Sequence, residues 1–335
     1  MTLVNLVVSS GGKSTGGVTS HVLSLRDGLE SRGYHVRIIS PRQAASELVC
    51  RRHTGVYHIH TSHPSGIRLA LFGLLIRGLN PRRCTVTFHH GPSPERYSKS
   101  AIDRFLLGHT LAKATAISLT PTMTTFLTSL NRNIRVIESS SYVGRLTESA
   151  GTSPGPLPAP FASTSSGKVE DWVITSGYET DLYGILEVVH ALEAEAFSEV
   201  GLRICTYGPA GSPEFVAKLN EAINESVSTI LWYRGLSTPS FHSLLRNSSL
   251  YVRNTSSDTF GLTLSEAQEL GTAAIATDVC ERPLGVRTYP CGQHYELVQT
   301  LHEELNGPRE SVSTLLAEQE AERSLNAIIA AYQGT

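Results

Sequence analysis

The 335-residue chain reads as an α/β protein of two Rossmann-like, doubly wound domains. Short β-branched runs alternate with helix-period segments in both halves, the pattern of βαβ units and parallel sheets. That alternation breaks once, over residues 144–168 (GRLTESAGTSPGPLPAPFASTSSGK), a stretch without period that reads as a linker. The length suits two domains, each able to bury its own core. The expected division is a first domain over 1–145, a linker over 146–168, a second domain over 169–310 and a terminal helix over 311–335. Ligands of such sheets bind at the carboxyl ends of the strands, so a cleft where the two domains face each other is the expected site.

Each element has its own justification. In the first half the strands are Leu3–Ser9, His35–Ile39, Val56–His60, Cys84–Phe88, Ala114–Ser118 and Ile134–Ile137. Val18, Val22, Leu25 and Leu29 recur at helical spacing after the first strand. Beyond the linker come strand Trp172–Thr175, a helix from Leu182, strand Leu202–Thr206, a helix from Pro213 and strand Thr229–Trp232. A strand then leads through Arg253 into residues 258–269, and another follows over Ala273–Ala276. The tail from Ser311 to Tyr332 has the pattern of a long amphipathic helix.

Composition narrows the class. Hydrophobic content of 40% and charged content of 17% are those of a soluble globular protein. The five cysteines are odd in number and scattered, which argues for a reducing compartment and against a disulfide framework or a zinc site of the Cys-x-x-Cys kind. The opening MTLVNLVVSSGG lacks the basic region of a signal peptide and reads as a first buried strand. The longest apolar run, Ile67–Leu79, is broken by Arg68 and Arg77 and is too short to span a bilayer. Charge is unevenly divided: residues 1–150 carry 18 Lys and Arg against 7 Asp and Glu, whereas 151–335 carry 10 against 23. Either the halves attract each other, or the basic half faces an anionic surface.

Residues 251–277, YVRNTSSDTFGLTLSEAQELGTAAIAT, are the most informative stretch. Asp258 precedes Glu266 by eight positions, with a Phe-Gly-Leu turn between them and an apolar strand beyond. Gly261 admits close approach of a ligand to the backbone, and the helix that follows offers unpaired N–H groups to an anion. A polyhydroxylated molecule carrying phosphates suits two carboxylates with amides between them. The block resembles the acid-x7-acid signature of retaining GT-B-fold glycosyltransferases, written there E-G-F-G-L-x-x-x-E-A; here Asp258 stands for the first Glu, and Phe260, Gly261, Leu262, Glu266 and Ala267 follow in register. GGVTSHVLSLRDGLESRGYHV is similar to the glycine loop and first helix of that family's N-terminal domain. CTVTFHH ends, as in the family, on a strand that delivers a histidine. Gly208 and Tyr233-Arg234-Gly235 resemble its later turns.

The resemblance implies roles. Glu266 would hold the ribose hydroxyls of a nucleotide. Asp258, with the Phe260–Leu262 backbone, would hold the donor sugar and phosphates. Gly16 and Gly17 would pack against the diphosphate, Gly208 and Arg234 would line the donor site, and His89 would face the reacting sugar with Asp258 as its catalytic partner. Lys13 and His90 would lie on the acceptor side. Gly11, Gly12 and Lys13-Ser14-Thr15 also suggest a phosphate-binding P-loop, but that motif needs a glycine where Val7 stands. The chain departs from the family where GRLxxxKG opens the second domain: Tyr178 and Tyr183 occupy the cationic positions, with Glu179 and Asp181 between them. Another cation must then neutralise the diphosphate, and Arg253 and Lys13 are the candidates; Arg253 could instead pair with Glu179 or Asp181.

The expected activity is transfer of a hexose-like sugar from a nucleoside diphosphate donor to a glycan or lipid-linked acceptor, with retention. No cofactor and no nucleic-acid partner are expected. A location in the cytoplasm is expected, with peripheral contact at an anionic membrane. No metal site is expected, because His58 and His60 alternate on a strand with no carboxylate nearby in sequence. The alternative, suggested by the two tyrosines, is a catalytically silent GT-B subunit that binds a partner glycosyltransferase or glycan.

Overall fold

A computed structural model describes residues 2–8, 17–50, 54–61, 64–89, 93–139, 157–164, 168–307 and 314–333. The chain divides into two compact units: residues 1–144, 258–260 and 319–335 form the first, and 145–257 with 261–318 form the second. No helix among the described residues is long and apolar enough to cross a membrane.

The first unit holds a six-stranded sheet in the order β2-β1-β3-β4-β5-β6. Its strands are β1 (Leu3–Val7), β2 (His35–Ile39), β3 (Val56–Thr61), β4 (Cys84–Phe88), β5 (Thr115–Ser118) and β6 (Arg135–Glu138). Every pairing is parallel. Central strands of such a sheet are covered on both faces, which is why β4 reads CTVTF with every residue buried. The covering helices are α1 (Gly17–Ser31), α2 (Pro41–Val49), α3 (Gly66–Gly78), α4 (Ser93–Ser98), α5 (Ala101–Leu111) and α6 (Pro121–Leu130). Their starts are written locally. Ser40 and Gln43 form a capping box with Pro41 in the first turn of α2, and Ser100 and Thr120 cap α5 and α6 in the same way through their hydroxyls.

One surface of this unit is apolar. Ile67, Leu71 and Leu74 make an exposed stripe along α3, and Ile102 and Phe105 make another on α5, which packs beside it. Arg68, Arg77, Arg82, Arg83, Arg96, Lys99 and Arg104, on or near the same elements, are all exposed.

The second unit carries seven strands in the order β13-β12-β11-β8-β9-β10-β7. They are β7 (Ala162–Ser163), β8 (Asp171–Gly177), β9 (Val200–Thr206), β10 (Ile230–Arg234), β11 (Leu250–Arg253), β12 (Ala273–Thr277) and β13 (Arg287–Tyr289). All pairings are parallel except that of β7, which runs antiparallel on β10 through Ala162 and Ser163. The Gly/Pro-rich stretch read as pure linker therefore contributes an edge strand. Helices α7 (Ile185–Ala191), α8 (Pro213–Glu225), α9 (Thr238–Arg246), α10 (Leu262–Glu269) and α11 (His294–Asn306) cover the sheet. The helix expected from Leu182 begins at Ile185, because Asp181–Tyr183 form a tight 3-10 turn closed by left-handed Gly184.

The tail forms α12 (Thr314–Gln333). Leu325, Ile328, Ala331 and Tyr332 pack in one buried cluster with Val4, Leu6, Val22 and Leu25 of the first unit. The end of the chain thus completes the core begun by its first strand. Truncating Ile328 to alanine removes a side chain that is 2% exposed in that cluster and should cost about 2–5 kcal/mol, read as a lowered urea midpoint with unchanged slope.

Candidate functional site

Both sheets change winding direction once. In the first, β2 lies on one side of β1 and β3 on the other; in the second, β9 and β11 flank β8. Chain connections leave the sheet in opposite senses at these points, so a crevice opens at the carboxyl ends of β1 and β3 and of β8 and β11. The candidate residues stand beside these strand ends: histidines in the first unit, and Arg253, Tyr183 and Glu266 in the second, while Asp258–Phe260 group with the first.

In the first unit the crevice is lined by histidines. His60 sits near the end of β3, His89 directly follows β4, and His21 lies on the buried side of α1. His60 Nδ1 and His89 Nε2 are 3.0 Å apart in a hydrogen bond. The ring centroid of His21 lies 5.4 Å from that of His60 and 5.0 Å from that of His89. Behind them His58 is fully buried, its Nδ1 2.7 Å from the Tyr332 hydroxyl and its Nε2 2.7 Å from Thr87 Oγ1. Burial and the neighbouring rings hold His60 and His89 well below the ordinary histidine value and bring His58 down to about 3. All three are neutral at pH 7, and each neutral ring has one donor and one acceptor nitrogen. Gly17 opens α1. Lys13, Gly16 and His90 lie outside the described residues.

The second unit's crevice is built differently. Arg253 ends β11, is 8% exposed, and holds its guanidinium 5.3 Å from the Tyr183 ring centre. Tyr178, Tyr183 and Tyr207 meet edge to face, with centroids 4.8 and 5.5 Å apart for the two closer pairs. Gly208, at φ +80°, leaves room for the Tyr178 ring, into which any added methyl would intrude. These tyrosines form an aromatic wall, of which Tyr178 is 39% exposed.

Beyond β11, Asp258 is half-buried and accepts the Thr259 backbone N–H at 2.9 Å. Phe260 is buried. Gly261 caps α10 at φ +86°, a conformation that side chains rarely adopt, and a methyl there would come within 2.7 Å of Leu264 Cδ1. The same position faces Arg282, whose Nη1 would lie 3.1 Å from such a methyl. Arg282 is 8% exposed and donates through Nε to the Thr277 carbonyl at 2.9 Å. Leu262 begins α10, and Glu266, one turn along, is buried with His242 Nε2 3.8 Å from its carboxylate. Sequence reading missed Arg282, since a single arginine in a loop has no period to mark it. It also missed His21, although a histidine inside the apolar stripe of α1 was a visible signal.

Two expectations change. Arg234 commits Nε and Nη2 to Glu179 at 2.6 and 2.9 Å and lies over the Phe161 and Trp232 rings. Glu179 also accepts from Thr206 Oγ1 and the Gly211 N–H. The carboxylate that looked like an acid opposing a diphosphate is therefore the centre of an internal network, and the partner it takes is Arg234 rather than Arg253. Removing it by Glu179→Ala leaves a guanidinium, a hydroxyl and an amide without their acceptor. The expected loss is about 3 kcal/mol by urea unfolding, at the lower end for a buried pair because Arg234 keeps some solvent contact.

Two such units, each a predominantly parallel sheet covered by helices, make up the GT-B architecture. Solved structures with this fold superpose along nearly the entire chain. HepE of Anabaena, in complex with UDP and glucose, matches at 12% identity and a TM-score of 0.65, over 99% of this chain and 98% of that one. The trehalose-6-phosphate synthase OtsA matches at 12% identity and 0.66, over 100% and 97%. Sucrose-phosphate synthase from Thermosynechococcus elongatus matches at 13% and 0.62, over 99% and 95%. No protein-family model and no curated protein sequence matches the chain.

Proposed function

We propose that the protein is a retaining glycosyltransferase that moves a hexose from a nucleoside diphosphate sugar to a hydroxyl of a glycan or lipid-linked acceptor. The observation that carries this reading is the acidic motif at the second sheet's switch point, where Asp258, the α10 amino end and Glu266 follow a strand ending in buried Arg253. The similarity to HepE, whose structure holds UDP and glucose, supports the same donor class. Glu266 holds the ribose. Asp258 and the 260–262 backbone hold the sugar and phosphates. Arg253 and Arg282 take the place of the cations that Tyr178 and Tyr183 do not supply, since a guanidinium binds phosphate through paired donors. Gly208 and Arg234 shape the donor side, and Gly16 and Gly17 meet the diphosphate from the first unit. Lys13 and His90 serve the acceptor.

In the reaction the acceptor oxygen bonds to the anomeric carbon on the face from which the diphosphate departs. The bond from that carbon to the phosphate oxygen breaks, and the acceptor proton passes to the departing oxygen. Neutral His89 donates a hydrogen bond to the sugar and takes no proton. Stabilising the leaving diphosphate with preorganised donors is the largest contribution available to such a site, of several kcal/mol.

Thermal-shift measurements against UDP-, GDP-, dTDP- and ADP-sugars identify the donor, and sugar-nucleotide turnover then tests the assignment. Asp258→Asn and Glu266→Gln should each reduce turnover at least about 100-fold while the protein stays folded. Near wild-type turnover in both would remove the motif from the site. Donor stabilisation without turnover would instead identify a silent GT-B subunit.

Transfer should continue in EDTA, because guanidinium groups rather than a divalent ion meet the diphosphate. Loss of turnover restored by magnesium would show the reverse.

The lipid-linked acceptor follows from the first unit's surface: the apolar stripes of α3 and α5 are bordered by exposed basic residues. This face rests peripherally on an anionic, cytoplasmic membrane leaflet. Each basic residue near such a surface contributes roughly 1 kcal/mol, screened by salt. Flotation with phosphatidylserine vesicles should be strong at low salt, weak at high salt and reduced by Leu71→Ser with Phe105→Ser. No flotation at low salt would leave a soluble glycan as acceptor.

A further inference from the structure

We propose that His21, His60 and His89 form a binding site for one divalent transition ion of zinc's borderline-soft class. Each offers a ring nitrogen, and these three atoms lie within 4.8 Å of one another. His60 Nδ1 and His89 Nε2 face each other at 3.0 Å, close to the roughly 3.3 Å edge of a tetrahedron with metal–nitrogen bonds of about 2.0–2.1 Å. In the metal-free protein one proton joins this pair. When an ion binds, the ring that held that proton carries it on its other nitrogen, both facing lone pairs coordinate, and a small movement of the α1 imidazole completes a three-nitrogen face with one open position.

The chemistry selects the ion. His21 and His60 are buried and His89 is half-buried, and all three offer imidazole nitrogen. Imidazole nitrogen suits zinc, cobalt, nickel and copper, whereas magnesium and calcium require oxygen ligands. Support behind the site is already present, because His58, whose ring lies 4.1 Å from that of His60, is fixed by Tyr332 and Thr87. Such outer contacts hold ligating rings in place.

His89 is shared with the transferase reading, so sugar transfer cannot serve as the readout. The test therefore reads the metal itself. Chelator-treated, untagged full-length protein is titrated with cobalt(II), whose visible absorption reports four-coordinate imidazole binding, and zinc is added to displace it. One equivalent should saturate the spectrum. His21→Gln and His60→Gln should each weaken cobalt binding by more than the roughly 10–100-fold that loss of an outer-shell partner costs, while exposed His302→Gln leaves it unchanged. Because a buried histidine variant can lose its fold, wild-type protein with assigned 15N-labelled histidines provides a second readout, in which zinc should shift the ring nitrogens of these residues. Absence of a cobalt spectrum in wild type, binding unaffected in folded His21→Gln and His60→Gln, or zinc-shifted nitrogens on other histidines would overturn the site. None of these readouts depends on sugar transfer, so failure here and failure of the transferase reading are distinct results.

Discussion

A parallel sheet sends every strand out at the same edge, and its connections must return across one face or the other. Where the chain first changes face, two neighbouring strand ends lose their covering loops, and whatever residues stand there meet solvent or ligand. In this protein the constraint operates twice. At the β1/β3 position it gathers imidazoles, and at the β8/β11 position guanidinium, tyrosine and carboxylate groups. The two sites differ in chemistry because the same topology presents different residues.

Such residues are held against the ordinary preference for apolar interiors. Burying Arg253 and Arg282 costs desolvation that only hydrogen bonds or a bound anion offset. Arg282 obtains part of this from Thr277 and Thr255. Glu179 shows the complementary case, a carboxylate satisfied from four directions so that the loop after β8 keeps one shape. The Tyr178 ring takes its place along this loop because Gly208 leaves it space.

The sheet architecture was legible because strands buried on both faces carry no charges and are rich in β-branched residues; CTVTF and the core of DWVITSG announce themselves. The turn before α10 was legible because a glycine flanked by Phe260 and Leu262 opens a helix there, with Gly261 at φ +86°. Elements without a period were not. β7 is two residues inside a Gly/Pro-rich stretch, and β13 buries only Tyr289 of its three residues. Pairings across long separations were equally hidden. Glu179 and Arg234 are 55 residues apart, and nothing in either neighbourhood indicates that one will neutralise the other. The histidine trio was half visible: His60 and His89 stood out, but only the packing of α1 brings His21 to them.

The hydrogen bond from Tyr332 to His58 joins the last helix to the third strand, 274 positions earlier in the chain. During synthesis, the second unit has nearly all its residues before α12 emerges, whereas the first unit, begun earlier, lacks part of its core until α12 has been made. Domains commonly fold in the order in which they are made. Here the order of completion is inverted: the half that starts the polypeptide must wait, with the Val4, Leu6 and Leu25 cluster uncapped, for the half that follows to be finished.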